Sequence, residues 1–330
     1  MNCLTVLGAG SWGTALAIAL ASRFEQVCLW ARDPAQADRL TITRENARYL
    51  AGFRLPEHVS VSHDLQFSLI GADAILSVVP SHYLHEVMAQ AAPFIKAPTP
   101  VVSATKGIEE KTLRRMSQVI AETLGAQSPV AVLSGPTFAR EIAAGEPAAI
   151  VIAAEDAGVT EQIQHAFCTP ALRFYTSADP VGVEIGVALK NVIALGAGVC
   201  SGLGLGSNSV AALVTRGLAE ITRLAVVLGG KERTLAGLAG LGDLVLTATG
   251  SLSRNRAVGV QLGQGRKLAG ILAQTTMVAE GVSTCRAAYQ LALRHGVTLP
   301  ITSKMYEVLY ENKDPRLAIR ELMERPLTSE

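Results

Sequence analysis

Little in this sequence is charged. Asp, Glu, Lys and Arg make up 17% of it and nearly cancel, to a net charge of +1. No global field therefore draws in nucleic acid or an anionic membrane, and any anion recognition must be local. Cysteine is scarce. Cys3, Cys28, Cys168, Cys200 and Cys285 are odd in number, widely spaced and without a CxxC pair. That excludes a disulfide framework and a zinc ribbon, and it favours a reducing, cytoplasmic setting. His82 and His85 are close, but no carboxylate or cysteine cluster completes a metal site, so no metal is expected. The P-loop pattern is missing, because Gly230-Lys231 is followed by Glu232 and lacks the earlier glycine. No GxSxG elbow occurs. No basic segment precedes the first apolar run, so no signal peptide is expected. The most membrane-like stretch, 192–206, would span about 22 Å as a helix, short of a roughly 30 Å bilayer core, and is dense in glycine. It reads as buried helix and loop, which implies no membrane anchor.

What is abundant is apolar sequence, 49% of 330 residues, enough for about two well-buried domains. The chain opens with an apolar run, 3–7, then Gly8-Ala9-Gly10-Ser11-Trp12-Gly13, then a helical pattern over 14–22. Strand, glycine turn and helix in that order form the layout of a dinucleotide site. Gly8 allows the tight turn, Gly10 lets a pyrophosphate approach the backbone, and Gly13 lets the helix sit close to the strand. The helix N-terminus offers unpaired N–H groups to the phosphates.

Further short apolar runs at 27–30, 74–79, 101–104, 130–133, 149–153 and 173–175 read as strands. Helical patterns such as 35–49, 83–92 and 113–124 lie between most of them. That alternation predicts an α/β fold: a Rossmann-type, mainly parallel sheet with helices on both faces. Near Ser177-Ala178-Asp179-Pro180 the pattern changes, and 181–199, 209–228, 254–262, 283–296 and 303–312 read as helices. The expected division is a nucleotide-binding domain over 1–180 and an all-helical substrate-binding and catalytic domain over 181–330.

The second strand ends at Trp30-Ala31-Arg32-Asp33. An NAD-selective site carries a carboxylate there. Here Ala31 is small and Arg32 can pair with a 2′-phosphate, which favours NADP(H) and leaves NAD(H) possible. Asp33 keeps the NAD reading open, although with Pro34 after it Asp33 reads more simply as a helix N-cap. Lys190 sits in an otherwise apolar helix. Burying an unpaired ammonium is costly, so it needs a partner or a task; desolvation would lower its pKa and make it a proton donor near neutrality. A snorkelling or structurally paired lysine is the plain alternative. Asp243, in Gly240-Leu241-Gly242-Asp243, reads as a turn or capping carboxylate or a site residue. Ser253 reads as the cap of a helix starting at Arg254, a ready anion site, the alternative being a solvated basic turn at Arg254 and Arg256. Lys106 and Ser134-Gly135-Pro136-Thr137 follow strands, and ligands bind at strand C-terminal ends in open α/β sheets. Pro136 suits the first position of a helix.

Six blocks in order, GAGSWGTALA at 8–17, SATKGI at 103–108, SGPTFAREI at 134–142, LKNVIALGAGV at 189–199, GLGDLVLTATGSLSRNR at 240–256 and VAEGV at 278–282, resemble the bacterial-type NAD(P)-dependent glycerol-3-phosphate dehydrogenases. The resemblance runs over nearly the whole chain. It implies reversible reduction of dihydroxyacetone phosphate to sn-glycerol 3-phosphate, a glycerophospholipid precursor, by a homodimer. It implies cofactor contacts at Ser11, Trp12, Arg32, Lys106, Ala139, Arg254, Val278 and Glu280, beside the glycines of the turn. It implies substrate contacts at Lys106, Gly135, Thr137, Lys190, Asp243, Ser253, Arg254 and Asn255, with Lys190 as general acid/base. Rival readings are a two-domain 3-hydroxyacid or ketopantoate-type reductase and a non-catalytic NADP-sensing protein.

Overall fold

The structure, a computed structural model, describes residues 1–125, 128–274 and 279–327. The chain divides into two compact units, Met1–Lys106 with Arg114–Glu184, and Gly107–Leu113 with Ile185–Glu330.

The first unit is built on eight strands: β1 (Cys3–Leu7), β2 (Gln26–Trp30), β3 (Val59–Ser62), β4 (Ala74–Ser77), β5 (Val101–Ser103), β6 (Val130–Ser134), β7 (Ala148–Ala153) and β8 (Leu172–Ser177). They form one sheet in the order β3-β2-β1-β4-β5-β6-β7-β8. Every neighbouring pair is parallel except β6 with β7. Side chains alternate between the faces. Leu4, Val6, Leu29, Leu76 and Val102 enter one core, while Leu7, Trp30, Ile75 and Val101 enter the other with Met88 and Ile120 of covering helices. Strands buried on both faces must be apolar throughout, which is why these runs are visible in the sequence. The strand order reverses between β1 and β4, and such a switch point opens a crevice at the strands' C-terminal ends.

Two local expectations change. The helical pattern over 35–49 forms a helix only over Pro34–Thr43. Arg44 then turns left-handed at φ 58°, and Glu45 pairs with Arg54 in an isolated bridge. Strand β3 was not expected from the sequence; Val59-Ser60-Val61-Ser62 alternates with serine instead of forming an apolar run, as suits its place at the sheet edge.

The second unit contains helices and no strand among its described residues. The helix Pro180–Gly202 begins behind Asp179, whose Oδ1 accepts the Gly182 N–H at 2.9 Å. It has 23 residues, roughly 34 Å of helix. By length and composition it could cross a membrane, and its apolar window is wholly buried inside the fold. Burial, and not shortness, accounts for that stretch.

Against this helix packs Arg254–Gly263. The contact is backbone to backbone. A Cβ on Gly198 would meet the Arg256 carbonyl oxygen at 2.1 Å, and one on Gly259 would meet that of Leu195 at 2.0 Å. Gly202 and Gly263 repeat the approach one turn on, against Val260 and Val199. Small residues four apart on both helices allow this crossing. It places the residues around Arg254 beside those around Lys190.

Candidate functional site

In the first unit the glycine turn has the geometry its sequence demands. Gly8 adopts φ +116°, and a Cβ there would meet the Val78 carbonyl oxygen at 2.9 Å. On Gly13 a Cβ would meet the Gly8 carbonyl oxygen at 1.9 Å. At Gly10 a Cβ would meet nothing within 4 Å, so that side of the turn is open. The helix Ser11–Leu20 starts directly after it with no side-chain cap, leaving its first N–H groups without intrahelical acceptors. Ser11 is buried, and the Trp12 Nε1 donor is buried without an acceptor among the described residues. An unmet buried donor costs about 1–3 kcal/mol. A ligand acceptor in the turn would remove that cost. These features fit a dinucleotide.

Two side chains that the sequence did not single out hold the turn. Gln36 Nε2 donates to the Ala9 carbonyl at 2.7 Å. Asn46 Nδ2, buried, donates to the same carbonyl at 3.0 Å and to Thr14 Oγ1 at 2.7 Å. In a planar trans peptide the carbonyl and the following N–H point in opposite directions. Pinning the Ala9 oxygen therefore fixes the Gly10 N–H. Polar residues at these positions resemble ordinary surface groups in sequence, and only the fold reveals their partners.

Because β1, β2, β4, β5 and β6 run parallel, the segments that follow them share one edge of the sheet. Arg32 follows β2, exposed, with its guanidinium carbon 4.2 Å from the Tyr83 ring centre. Asp33 caps the helix Pro34–Thr43 by accepting the Ala35 N–H at 3.0 Å. Lys106 follows β5, its ammonium 5.7 Å from the Trp12 ring centre, so these two expected site residues come together. After β6, a Cβ on Gly135 would meet the Ala149 carbonyl oxygen at 2.9 Å, and Thr137 Oγ1 donates to the Gly135 carbonyl at 3.2 Å. Pro136 does not open a helix: the helix runs Ala139–Ala143, with Phe138 at its cap. It packs on Ser11–Leu20, bringing Ala139 toward the turn's helix.

In the second unit Lys190 and Asp243 form a buried ion pair between Nζ and Oδ1, with side chains 3% and 0% exposed. A buried ammonium needs a countercharge, and Asp243 supplies it from the first turn of the helix Asp243–Thr249. The π-helical turn Leu238–Gly242, wider than an α-turn, leads into that helix. Thr247 Oγ1 donates to the Asp243 carbonyl at 2.6 Å.

Next to Lys190, the Asn191 Oδ1 accepts Asn255 Nδ2 at 3.0 Å, and Asn255 Oδ1 accepts the Gly281 N–H at 3.0 Å. This amide chain ties three helices together. A Cβ on Gly281 would meet both the Asn191 carbonyl oxygen and Asn255 Oδ1 at 2.7 Å. Asn191 and Gly281 were not among the expected site residues.

Ser253 caps the helix Arg254–Gly263, its Oγ accepting the Arg256 N–H at 3.3 Å. By helix geometry the N–H groups of Arg254 and Asn255 have no intrahelical acceptor. Desolvation pulls the Arg254 pKa down from its ordinary value and Glu280 opposes it, although the residue as a whole stays exposed. Arg256 is not part of a solvated turn, since its Nη2 donates to Ser201 Oγ at 3.3 Å. Glu280 begins the helix Glu280–His295. Val278 lies outside the described residues.

Comparison with known proteins adds an independent finding. A family model described as the NAD-dependent glycerol-3-phosphate dehydrogenase N-terminus matches residues 3–160, and its C-terminal counterpart matches 179–320. The glycerol-3-phosphate dehydrogenase (NAD(P)+) of Koribacter versatilis is 52% identical, covering 100% of this chain and 99% of that protein. That of Geobacter sulfurreducens is 50% identical, with 98% of each covered. The crystal structure of glycerol-3-phosphate dehydrogenase from Coxiella burnetii superposes with a TM-score of 0.95 at 41% identity, over 98% of this chain and 99% of that one. A PanE/ApbA family ketopantoate reductase from Ralstonia eutropha, at 16% identity and a TM-score of 0.62, shares the fold alone.

Proposed function

Because this chain belongs to the NAD-dependent glycerol-3-phosphate dehydrogenase family, we propose a division of labour for its residues in interconverting dihydroxyacetone phosphate and sn-glycerol 3-phosphate. The chain is an NAD(P)-dependent oxidoreductase, and the reaction feeds glycerophospholipid synthesis. The observation that carries the site assignment is the buried Lys190–Asp243 pair beside the Asn191–Asn255 amide chain.

The first unit binds the dinucleotide. The turn Gly8, Gly10 and Gly13, with the first N–H groups of Ser11–Leu20, takes the pyrophosphate. Ser11, Trp12, Lys106 and Ala139 line the same ligand. Arg32 reads the 2′-phosphate, which favours NADP(H), with NAD(H) still accepted. The capping of Ala35 by Asp33 supports this order of preference, because that carboxylate is already engaged.

The second unit acts on the substrate. Arg254 and the open N-terminus of its helix hold the substrate phosphate. Ser253 and Asn255 complete the substrate contacts of this unit. When bound, the nicotinamide supplies the hydride that adds to C2 of the ketone. Lys190 stabilises the growing negative charge on the C2 oxygen and donates the proton to it. Asp243 holds the Lys190 ammonium in place, and the Asn191–Asn255 hydrogen bond ties the residue after Lys190 to the residue after Arg254. A cytoplasmic homodimer belongs to the same reading; light scattering coupled to size-exclusion chromatography checks the oligomer.

The direct test follows NADPH and NADH absorbance separately, with dihydroxyacetone phosphate as oxidant. Oxidation of both is expected, with NADPH preferred. No oxidation of either overturns the proposal, and a tenfold preference for NADH overturns the role of Arg32.

A further inference from the structure

Arg32 and Tyr83 stand in segments that leave β2 and β4, the two strands flanking β1. Neighbouring strands lie about 4.8 Å apart. The contact between these residues therefore reaches across two strand spacings, on the edge where β1 gives way to the glycine turn. The Arg32 guanidinium carbon is 4.2 Å from the Tyr83 ring centre.

Tyr83 is a well-anchored platform. It closes the short helical turn Ser81–Tyr83, its N–H donating to the Pro80 carbonyl at 2.9 Å. Buried Ser81 and fully buried Leu84 fix the backbone on either side. The His82 ring packs against the Tyr83 ring at 4.0 Å between centres. Arg32, by contrast, is an exposed side chain.

An arginine stacked on a ring engages its flat face and leaves its edge donors available. Those edge donors are what pair with a phosphate in a two-point fashion. We propose that Tyr83 is a specificity-determining positioning residue, stacking on Arg32 so that the guanidinium is held ready for the 2′-phosphate of NADP(H). The inference rests on the reading of Arg32 as the 2′-phosphate partner. Its physical content is preorganisation: the entropy of ordering the arginine is spent before the ligand arrives.

The test compares Tyr83→Leu, Tyr83→Phe, Arg32→Leu and the double variant Arg32→Leu/Tyr83→Leu in the intact enzyme. Two readouts are taken. One is kcat and KM for NADPH and NADH. The other is inhibition against the cofactor by 2′,5′-ADP and by 5′-AMP, which differ in the 2′-phosphate. For Tyr83→Leu the expected result is a roughly two- to fivefold rise in the NADPH KM and in the 2′,5′-ADP inhibition constant, the size of an exposed cation–π contact. NADH and 5′-AMP should not shift in parallel, and Tyr83→Phe, which keeps the ring, should restore the NADPH value. In the Arg32→Leu background, Tyr83→Leu should add nothing. Equal losses for both cofactors, an additive double variant, or no change in the 2′,5′-ADP constant overturns the role of Tyr83. If Arg32→Leu itself leaves the NADPH-to-NADH ratio unchanged, the reading of Arg32 fails instead. Should Tyr83→Leu fold poorly, Tyr83→Gln carries the same comparison, since it too removes the ring.

Discussion

Lys190 carries two burdens, and substitutions can separate them. Replacing it with Met removes the proton donor and leaves the Asp243 carboxylate buried without its countercharge. The expected result is a loss of about 10²–10⁴ in kcat and of about 3–5 kcal/mol in stability. Adding Asp243→Asn should recover much of the stability and none of the activity, because the stranded charge is then gone. Thermal melts and steady-state rates on the two variants check this; recovered activity would remove Lys190 from the chemistry. Arg254→Ala should raise KM for dihydroxyacetone phosphate about 10- to 100-fold, the worth of a hydrogen bond to a charged group. An unchanged KM would remove Arg254 from the phosphate site. Lys190 was legible in the sequence because a cation in an apolar helix must find a partner. Its partner was not, since nothing local marks Asp243 as a carboxylate that meets it. Asn46 and Gln36 were missed for the same reason: their shared acceptor, the Ala9 carbonyl, is remote in sequence.

At the scale of elements, the crossing of Pro180–Gly202 with Arg254–Gly263 determines whether Arg254 and Asn255 reach the Lys190 region. Gly259→Leu should therefore cost about 3 kcal/mol or more, because its Cβ would meet a helix backbone that cannot yield. Gly270→Ala is the contrasting case. It lies in the helix Leu268–Ala273, where a Cβ would meet nothing within 4 Å, and should gain about 0.5–1 kcal/mol. Urea unfolding of both variants checks the pair; similar effects would mean that the crossing is not tight. The elements read most easily from the sequence were those buried on all sides, such as β1, β4 and Pro180–Gly202. Strand β3 escaped because an edge strand tolerates the serines that break its apolar run. The pattern over 35–49 misled because residues after Thr43 keep an amphipathic spacing while the backbone turns at Arg44.

At the scale of the whole molecule, pH acts through charges that close the C-terminal end of the chain. Lys304 and Lys313 each bond both Glu307 and Glu321, across the helices Pro300–Tyr310 and Pro315–Met323. Burial pushes the Glu307 carboxyl up, but the hydrogen bonds from Lys313 and Lys304 together outweigh it and hold it below its ordinary 4.5. The hydrogen bonds from Lys304 and Lys313 hold Glu321 below that value too. A carboxyl with a depressed folded pKa stabilises above its unfolded pKa, and that contribution fades as pH falls through the folded value. Melting wild type beside Glu307→Gln/Glu321→Gln should therefore give a Tm gap at neutral pH that closes below about pH 4. A gap that persists or widens in acid would show that the network does not stabilise the fold.

What the sequence by itself determined is everything carried by contiguous residues: the strand, glycine turn and helix of the nucleotide site, the mainly parallel sheet, the helical second half and the family. Those features depend on local backbone geometry and on hydrophobic period, which a linear chain displays directly. The tertiary structure alone decided which polar groups meet: Lys190 with Asp243, Asn191 with Asn255 and Gly281, Asn46 with Ala9. The physical reason is burial. Once folding takes a polar group out of water it must find a partner, and the partner is whichever group the packing of helices and strands brings within hydrogen-bond reach, however far away it lies in the chain.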